Sequence, residues 1–294
     1  MATAAWRAAQ HARPGSLTLY AGRAVGLLAV DVTAHGVVMS ADSQPVEIVG
    51  TENRVLATSG WQTRTPIVVR VGGGFVGLVG YVGTEQIDGV QASTWLSRFS
   101  AERPDDDLKT FCEGLAATLT GVWQRDGLDS VLEILVTGEV SGDLQFWFVR
   151  NSRVVGDRQF NAVNDLDLNY IPAHLAPGET KPDVLARVMF SFRQGVLFPA
   201  SPVFDGFSMV LGAIYAGNTE GFEPLSSLDD VGHYARVRME FLKRLCTAKY
   251  GIFRPCTPTT VAGDVHVLGV GPDGRVAEYR KHRNQTRFVR AGRT

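Results

Sequence analysis

The order in which strand-like and helix-like segments follow one another is the feature that most restricts how this chain can fold. Apolar runs rich in β-branched residues, bounded by glycine and proline, open the chain and return in two later blocks. Amphipathic segments separate these strand blocks. Because strands and helices come in blocks, the order favours an α+β fold with segregated layers over an alternating βαβ sheet.

Two hairpins are predicted in the first strand block. A strand-like run over residues 17–31 leads to a turn at Thr33–Gly36, and a second strand follows over Gly36–Asp42 and ends at a carboxylate. Residues 66–80 predict another hairpin, with the glycines at 72–74 forming its turn.

Two helices are predicted after this block. The first keeps apolar residues at helical spacing from Thr84 to Pro104, and the second follows Asp105–Asp107, whose charges suit a helix N-terminus. Residues 131–149 predict a hairpin. The last elements are a helix from Ser227, a capping residue, to about Lys249, and a hairpin over residues 264–279.

Three patterns have a functional interpretation and a simpler structural one. The Gly-x-Gly-x-x-Gly pattern at 72–77 leads into a strand instead of the helix that would hold a pyrophosphate, which favours a hairpin turn. His266 alternates with valines, which favours a satisfied sheet histidine over a ligand. Asp165 and Asp167 lie in a loop-like stretch, which favours a solvated loop over a cation site. We therefore predict no cofactor and no metal.

Composition excludes several classes of function. The 294 residues carry 29 Lys and Arg against 30 Asp and Glu, a formal net charge of −1, whereas nucleic-acid binders are usually basic. No apolar run approaches the ~18 residues that a membrane span needs. The three cysteines lack the paired spacing of a zinc site and are predicted to be thiols in a reducing compartment. These features predict a cytoplasmic protein with no nucleic-acid or membrane partner.

Four segments in a fixed order carry a resemblance to a known family. Residues 24–43 resemble the opening hairpin of proteasome β-type subunits, which are N-terminal nucleophile (Ntn) hydrolases, and residues 75–83 resemble the glycine-rich strand before their first long helix. Residues 134–149 and 263–270 follow in the family's order. No single motif decides the resemblance, which rests on the ordered set.

The resemblance implies an αββα sandwich of two mostly antiparallel sheets covered by helices. We expect this domain over residues 17–280, with a leader at 1–16 and a basic tail at 281–294. The segment over about 162–225 is longer than the family usually has and is interpreted as an insertion.

The resemblance also implies a reaction. In active members a propeptide is removed, and the exposed N-terminal threonine attacks an amide carbonyl with its own α-amino group or a water as base. Asp42 matches the family's aspartate, which supports a lysine. If the hairpin turn is longer than the family's, pairing places the nucleophile near Gly22, and the lysine position falls on Thr65. Neither is the required residue, and neighbouring Arg64 cannot relay a proton near neutral pH.

Two function classes stay open. The favoured one is a hydrolase homologue without threonine-protease activity, a pseudoenzyme that serves as a structural or binding subunit of a homo-oligomer or ring and takes a peptide or protein ligand. It is favoured because most positions that match the family's catalytic residues hold a different residue here. The family's aspartate after the last helix is also missing, since the sequence has no aspartate between Asp230 and Asp264. The alternative is an Ntn amidohydrolase or peptidase activated by removal of the leader before Ser16 or Thr18. Thr18 lies about 10 Å or more of extended chain from the expected position.

Overall fold

Two antiparallel sheets lie face to face in this computed structural model, with helices on both outer sides. The structure describes residues 24–25, 27–42, 46–49, 54–57, 67–71, 75–84, 86–151, 157–194, 201–247, 264–279 and 286–288. In chain order the strands are β1 (Ala24–Val25), β2 (Leu28–Thr33), β3 (Gly36–Asp42), β4 (Val46–Val49), β5 (Arg54–Ala57), β6 (Ile67–Val71), β7 (Phe75–Gly83), β8 (Gln86–Ile87), β9 (Val90–Gln91), β10 (Leu132–Val140), β11 (Asp143–Asn151), β12 (Phe160–Asn164), β13 (Phe190–Gln194), β14 (Val265–Val270), β15 (Val276–Tyr279) and β16 (Thr286–Phe288). The helices are α1 (Ala92–Ala101), α2 (Leu108–Asp126), α3 (Ile171–His174), α4 (Lys181–Arg187), α5 (Ser201–Tyr215) and α6 (Leu228–Thr247), and a π-helical turn over Leu166–Tyr170 precedes α3.

The larger sheet has six strands in the order β13-β2-β3-β14-β15-β16, and the second has five in the order β12-β11-β10-β7-β6. Two small sheets, β1-β4-β5 and β8-β9, complete the described strands. Every pairing among these strands is antiparallel. The predicted α+β sandwich of mostly antiparallel sheets covered by helices is confirmed.

Three apolar layers hold the sandwich together. One lies between α1, α2 and the five-stranded sheet, and includes Phe111 and Trp123. The second lies between the two sheets, and the third lies between the six-stranded sheet and the pair α5 and α6. Strand β2 contributes to the second and the third layer, because alternate residues of a strand point to opposite sides of the sheet. Thus Leu28 and Val30 lie between the sheets, whereas Ala29 faces the helices.

The β2–β3 hairpin supplies the second and third strands of the six-stranded sheet. Thr33 pairs with Gly36, so Ala34 and His35 alone form the turn, as expected for a tight hairpin. Gly36 has a φ of 131°, and a methyl group there would overlap the carbonyl oxygen of Val270. This position therefore requires glycine. The predicted turn and the strand over Gly36–Asp42 are confirmed.

Two predicted elements are wrong in their bounds. The first long helix begins at Ala92 instead of Thr84, because Asp88 and Gly89 adopt φ values of 52° and 69° and form the turn between β8 and β9. The strand expected over 17–31 is divided, since β1 belongs to a separate small sheet and β2 starts at Leu28. The other predicted hairpins, at 66–80, 131–149 and 264–279, are confirmed.

The segment over 162–225 is built into the sandwich. Its strand β13 pairs with β2 at the edge of the six-stranded sheet. Its helix α5 packs with α6 on the outer side of that sheet through Phe204, Leu211 and Ile214. The described part of this segment therefore contributes both a strand and a covering helix.

Candidate functional site

Asp42 lies at the end of the sandwich where β3 ends and β2 begins. Its side chain is fully buried, and its Oδ1 accepts a hydrogen bond from the backbone N–H of Leu27 at 2.7 Å. The backbone N–H of Asp42 donates to the Leu27 carbonyl oxygen at 3.2 Å. Hydrogen bonds from backbone N–H groups to carboxylates are among the stronger ones in proteins. Asp42 therefore fixes the chain where it enters β2.

His266 lies in the neighbouring strand at the same end. It pairs with Ala41 across β3 and β14, so its ring belongs to the face that carries Leu268 and lies between the sheets. Among the described residues, no group hydrogen-bonds to its buried Nε2. Sequence analysis favoured a satisfied sheet histidine, and this nitrogen departs from that prediction.

Charged groups surround His266 on adjoining elements. Burial lowers the pKa of His266, while Asp264 and Glu278 oppose that shift and Arg236 adds to it. The ring is therefore held toward its neutral form, in which one nitrogen can accept a proton. Asp42 and His266 are thus two of the ionisable groups that the structure describes at this end, and Asp264 and Glu278 lie close enough to His266 to act on its pKa.

The β2–β3 pairing corrects the sequence argument about a nucleophile. That argument assumed a longer turn, but the turn has two residues and Leu28 pairs with Ala41. Leu27 is therefore the residue hydrogen-bonded across from Asp42. The pairing gives no support to Gly22.

The other predicted site positions fall elsewhere. Thr18, Gly22, Arg64 and Thr65 lie outside the described residues, as does Ser16. Of the catalytic positions that the family resemblance implied, the structure therefore describes Asp42.

A second polar cluster joins the 162–225 segment to the five-stranded sheet. The Nζ atom of Lys181 lies 2.7 Å from a carboxylate oxygen of Asp143 and 2.6 Å from one of Asp167. Asp165 instead accepts a hydrogen bond from Asn169. No group of three or more His, Cys, Asp or Glu side chains suited to a metal occurs in the described ranges. Asp167 acts here as the partner of a lysine.

Sequence reasoning missed a buried ion pair between the six-stranded sheet and the outer helices. Asp31 of β2 and Arg238 of α6 are both fully buried, and their charged groups approach to 2.7 Å. The signal was present in the sequence, because Asp31 interrupts an apolar strand. Arg238 likewise stands on the α6 face that buries Val231 and Leu242. The pair fixes α6 against β2, and its burial leaves it inaccessible to substrate.

Comparison with known proteins gives distant structural similarity. No protein-family description and no curated protein matches the sequence. A solved structure of the Anbu Gly-1 mutant from Hyphomicrobium sp. strain MC1 is 11% identical with a TM-score of 0.46, and the match covers 90% of this chain and 88% of that one. A helical assembly of the Anbu complex from Pseudomonas aeruginosa is 13% identical with a TM-score of 0.47, covering 88% of each chain. Within the described residues, no helix is long and apolar enough to cross a membrane.

Proposed function

We propose that this chain is an Ntn-hydrolase-like subunit that self-associates and has no threonine-type hydrolase activity. The observation that carries the proposal is the residue across from Asp42. The hairpin register puts Leu27 there, and the preceding residue in the sequence is Gly26. Neither has a hydroxyl or thiol, so the start of β2 offers no side chain that could attack an amide carbonyl.

The described hydroxyl of β2 does not replace the missing group. Thr33 stands at the opposite end of the strand, next to the turn, and its Oγ1 donates to the carbonyl oxygen of Gly36 at 3.2 Å. Since the strand has six residues, Thr33 lies about 16 Å from its start. This distance separates it from the Asp42 end of the sandwich.

The proposal keeps the domain organisation inferred from the sequence. The domain spans residues 17–280, the leader covers 1–16 and the basic tail covers 281–294. The subunit forms a homo-oligomer in the cytoplasm and presents its surface to a peptide or protein ligand. The order of layers, helix, sheet, sheet and helix, supports the sandwich fold of this domain.

Intact-mass spectrometry of the purified chain, combined with labelling by a peptide β-lactone, tests the missing activity. We expect the full-length mass, no β-lactone adduct and no hydrolysis of fluorogenic peptides. A chain shortened to begin at Ser16 or Thr18, with an adduct on that residue, would establish the alternative amidohydrolase. Thr18→Ala and Ser16→Ala then serve as matched controls, because each removes one hydroxyl and leaves the other.

A further inference from the structure

Strand β12 is an outer strand of the five-stranded sheet, and its sequence has no charged residue. Proteins commonly protect such an edge with a charge or a proline, because its unpaired backbone groups can pair with another chain. The other outer strands described for the two large sheets each have an arginine: Arg70 in β6, Arg193 in β13 and Arg287 in β16. Among these described edges, β12 therefore stands out as the one without this protection.

The backbone of β12 directs hydrogen-bonding groups away from β11. The N–H of Phe160 donates to Oγ1 of Thr120 in α2 at 2.9 Å, so this amide points away from β11. Backbone groups along an antiparallel strand alternate between its two sides, so the N–H and C=O of Ala162 point the same way as those of Phe160. Within the described ranges, no strand pairs with β12 on that side. An added strand could therefore pair with β12 at Ala162.

A groove of about 440 Å³ lies between this edge and α2, and its volume is typical of a ligand site. On the α2 side it is lined by the small side chains of Ala116, Ala117 and Thr120, and on the sheet side by residues that include Phe160 and Ala162. We name it the β12–α2 groove. Because its helical wall is built from small side chains, another backbone has room to approach β12.

The length of the β12–α2 groove suits a short extended segment. Glu113 and Thr120 are the first and last residues of α2 that line the groove, and they lie about 10 Å apart along the helix axis. About three residues of extended chain cover this distance. A peptide of a few residues is therefore long enough to occupy the groove.

The charge of the groove favours a basic segment. Glu113 is the one charged residue among the described residues that line it, and its side chain is exposed. Its contact with Lys109 is long, at 3.9 Å, and both side chains are mostly in solvent, so the pair is weak. Glu113 can therefore pair with a positive side chain of a bound segment and repels a negative one.

We propose that the β12–α2 groove binds an extended peptide segment, which adds a strand to β12 and places a lysine or arginine beside Glu113. Main-chain hydrogen bonds to Ala162 supply affinity, and the alanines of α2 admit small side chains on the peptide face that meets them. The proposal rests on the peptide ligand of the proposed function and specifies where that ligand binds.

Fluorescence anisotropy with the labelled peptide Thr-Ala-Thr-Lys-Thr-Ala-Thr tests the groove, since alternation places both alanines and the lysine on one face. We expect the wild type to bind it, and to bind the peptide with glutamate in place of lysine about fivefold more weakly at low ionic strength. Methylating the backbone nitrogens along the peptide edge that faces β12 should weaken binding about tenfold, whereas methylation along the other edge should weaken it less. If the wild type binds neither peptide, or both equally, the proposal is wrong.

Glu113→Lys should reverse the preference, so that the variant binds the glutamate peptide more tightly than the lysine peptide. Glu102→Lys is the matched control, because Glu102 is an exposed glutamate that follows α1 and does not line the groove. It should keep the wild-type preference, and circular dichroism verifies that both variants are folded. A Glu113→Lys variant that still prefers the lysine peptide would refute the role of Glu113.

Ala162→Pro removes an amide that points away from β11, so it should weaken peptide binding while the melting temperature stays close to that of the wild type. Unchanged peptide binding in a folded Ala162→Pro variant would contradict the added strand. If the wild type does not bind the peptide and Ala162→Pro dissociates its oligomer in sedimentation velocity, the edge pairs with a second copy instead, and the peptide proposal fails.

Mass spectrometry of the peptide after incubation separates this proposal from the proposed function. A peptide that is bound and stays intact agrees with both. A bound peptide that is cleaved refutes the missing hydrolase activity and leaves the groove in place. If the chain associates and shows no β-lactone adduct but binds no peptide, the groove proposal alone fails.

Discussion

The buried pair Asp31–Arg238 gives a direct test of how the outer helices are attached. Arg238 donates to both carboxylate oxygens of Asp31, at 3.0 and 2.7 Å, and Ser191 donates to the same carboxylate at 2.6 Å. The guanidinium also lies 4.3 Å from the centre of the Phe204 ring. In Arg238→Met the carboxylate of Asp31 stays buried without its cation. Breaking a buried pair in this way costs about 3–5 kcal/mol.

Urea unfolding followed by tryptophan fluorescence measures this loss, with a fall of about 10 °C in Tm as its thermal counterpart. Arg125→Met is the matched control, because Arg125 makes an equally short contact with Asp88, at 2.6 Å, but in solvent. It should leave stability nearly unchanged. The double variant Asp31→Leu/Arg238→Met buries no charge and should lose much less than Arg238→Met. If Arg238→Met costs under about 1 kcal/mol, or if the double variant loses the sum of the singles, the reasoning is refuted.

Three further predictions concern a close contact, a helix cap and a titrating group. Gly232→Ala should lower the free energy of unfolding by about 1–3 kcal/mol in urea titrations, because the methyl group overlaps the Tyr279 ring, and Tyr279→Leu in the same chain should restore part of the loss. Asp107→Ala should cost about 1 kcal/mol, because Asp107 accepts a hydrogen bond from the Thr110 N–H at 2.7 Å at the start of α2. This hydrogen bond lowers the pKa of Asp107, so the difference in the free energy of unfolding between wild type and variant should vanish as pH falls through that pKa. A difference that stays constant with pH would contradict this prediction. Burial lowers the pKa of His266, so the unfolded chain takes up a proton more readily than the folded one. The free energy of unfolding should therefore decrease as the pH is lowered below about 6.5. His266→Gln should reduce the difference between the free energies of unfolding that urea titrations give at pH 5 and pH 8.

Local patterns predicted those elements whose ends carry their own signals. The strand Gly36–Asp42 is bounded by a turn and a carboxylate. Helix α2 follows the acidic run whose charges were predicted to suit a helix N-terminus, and Asp107 of that run caps it. The start of α1 was missed for a physical reason. Asp88 and Gly89 form a two-residue hairpin turn inside a run whose apolar residues also fit helical spacing. When two periodicities fit one short run, the backbone dihedral angles decide between them.

The candidate site was predictable only in part. Asp42 was located from the end of its strand, but the register of the hairpin was misjudged because the turn length was inferred from matching glycines. The Asp31–Arg238 pair joins positions 207 residues apart, and one sequence contains nothing that links them. Likewise, the Nε2 atom of His266 has no hydrogen-bond partner within the part of the chain that the structure describes, and this depends on which neighbours the fold brings to it.

The two-residue turn at Ala34–His35 has a consequence for how this protein can change in evolution. Successive side chains of β2 and β3 face opposite layers, and Asp31 must reach Arg238 on one side while Val30 fills the other. A one-residue insertion that shifted the pairing would reverse this assignment and place the aspartate between the sheets. Sequence variants should therefore tolerate substitution at His35 far better than any change in the length of this turn.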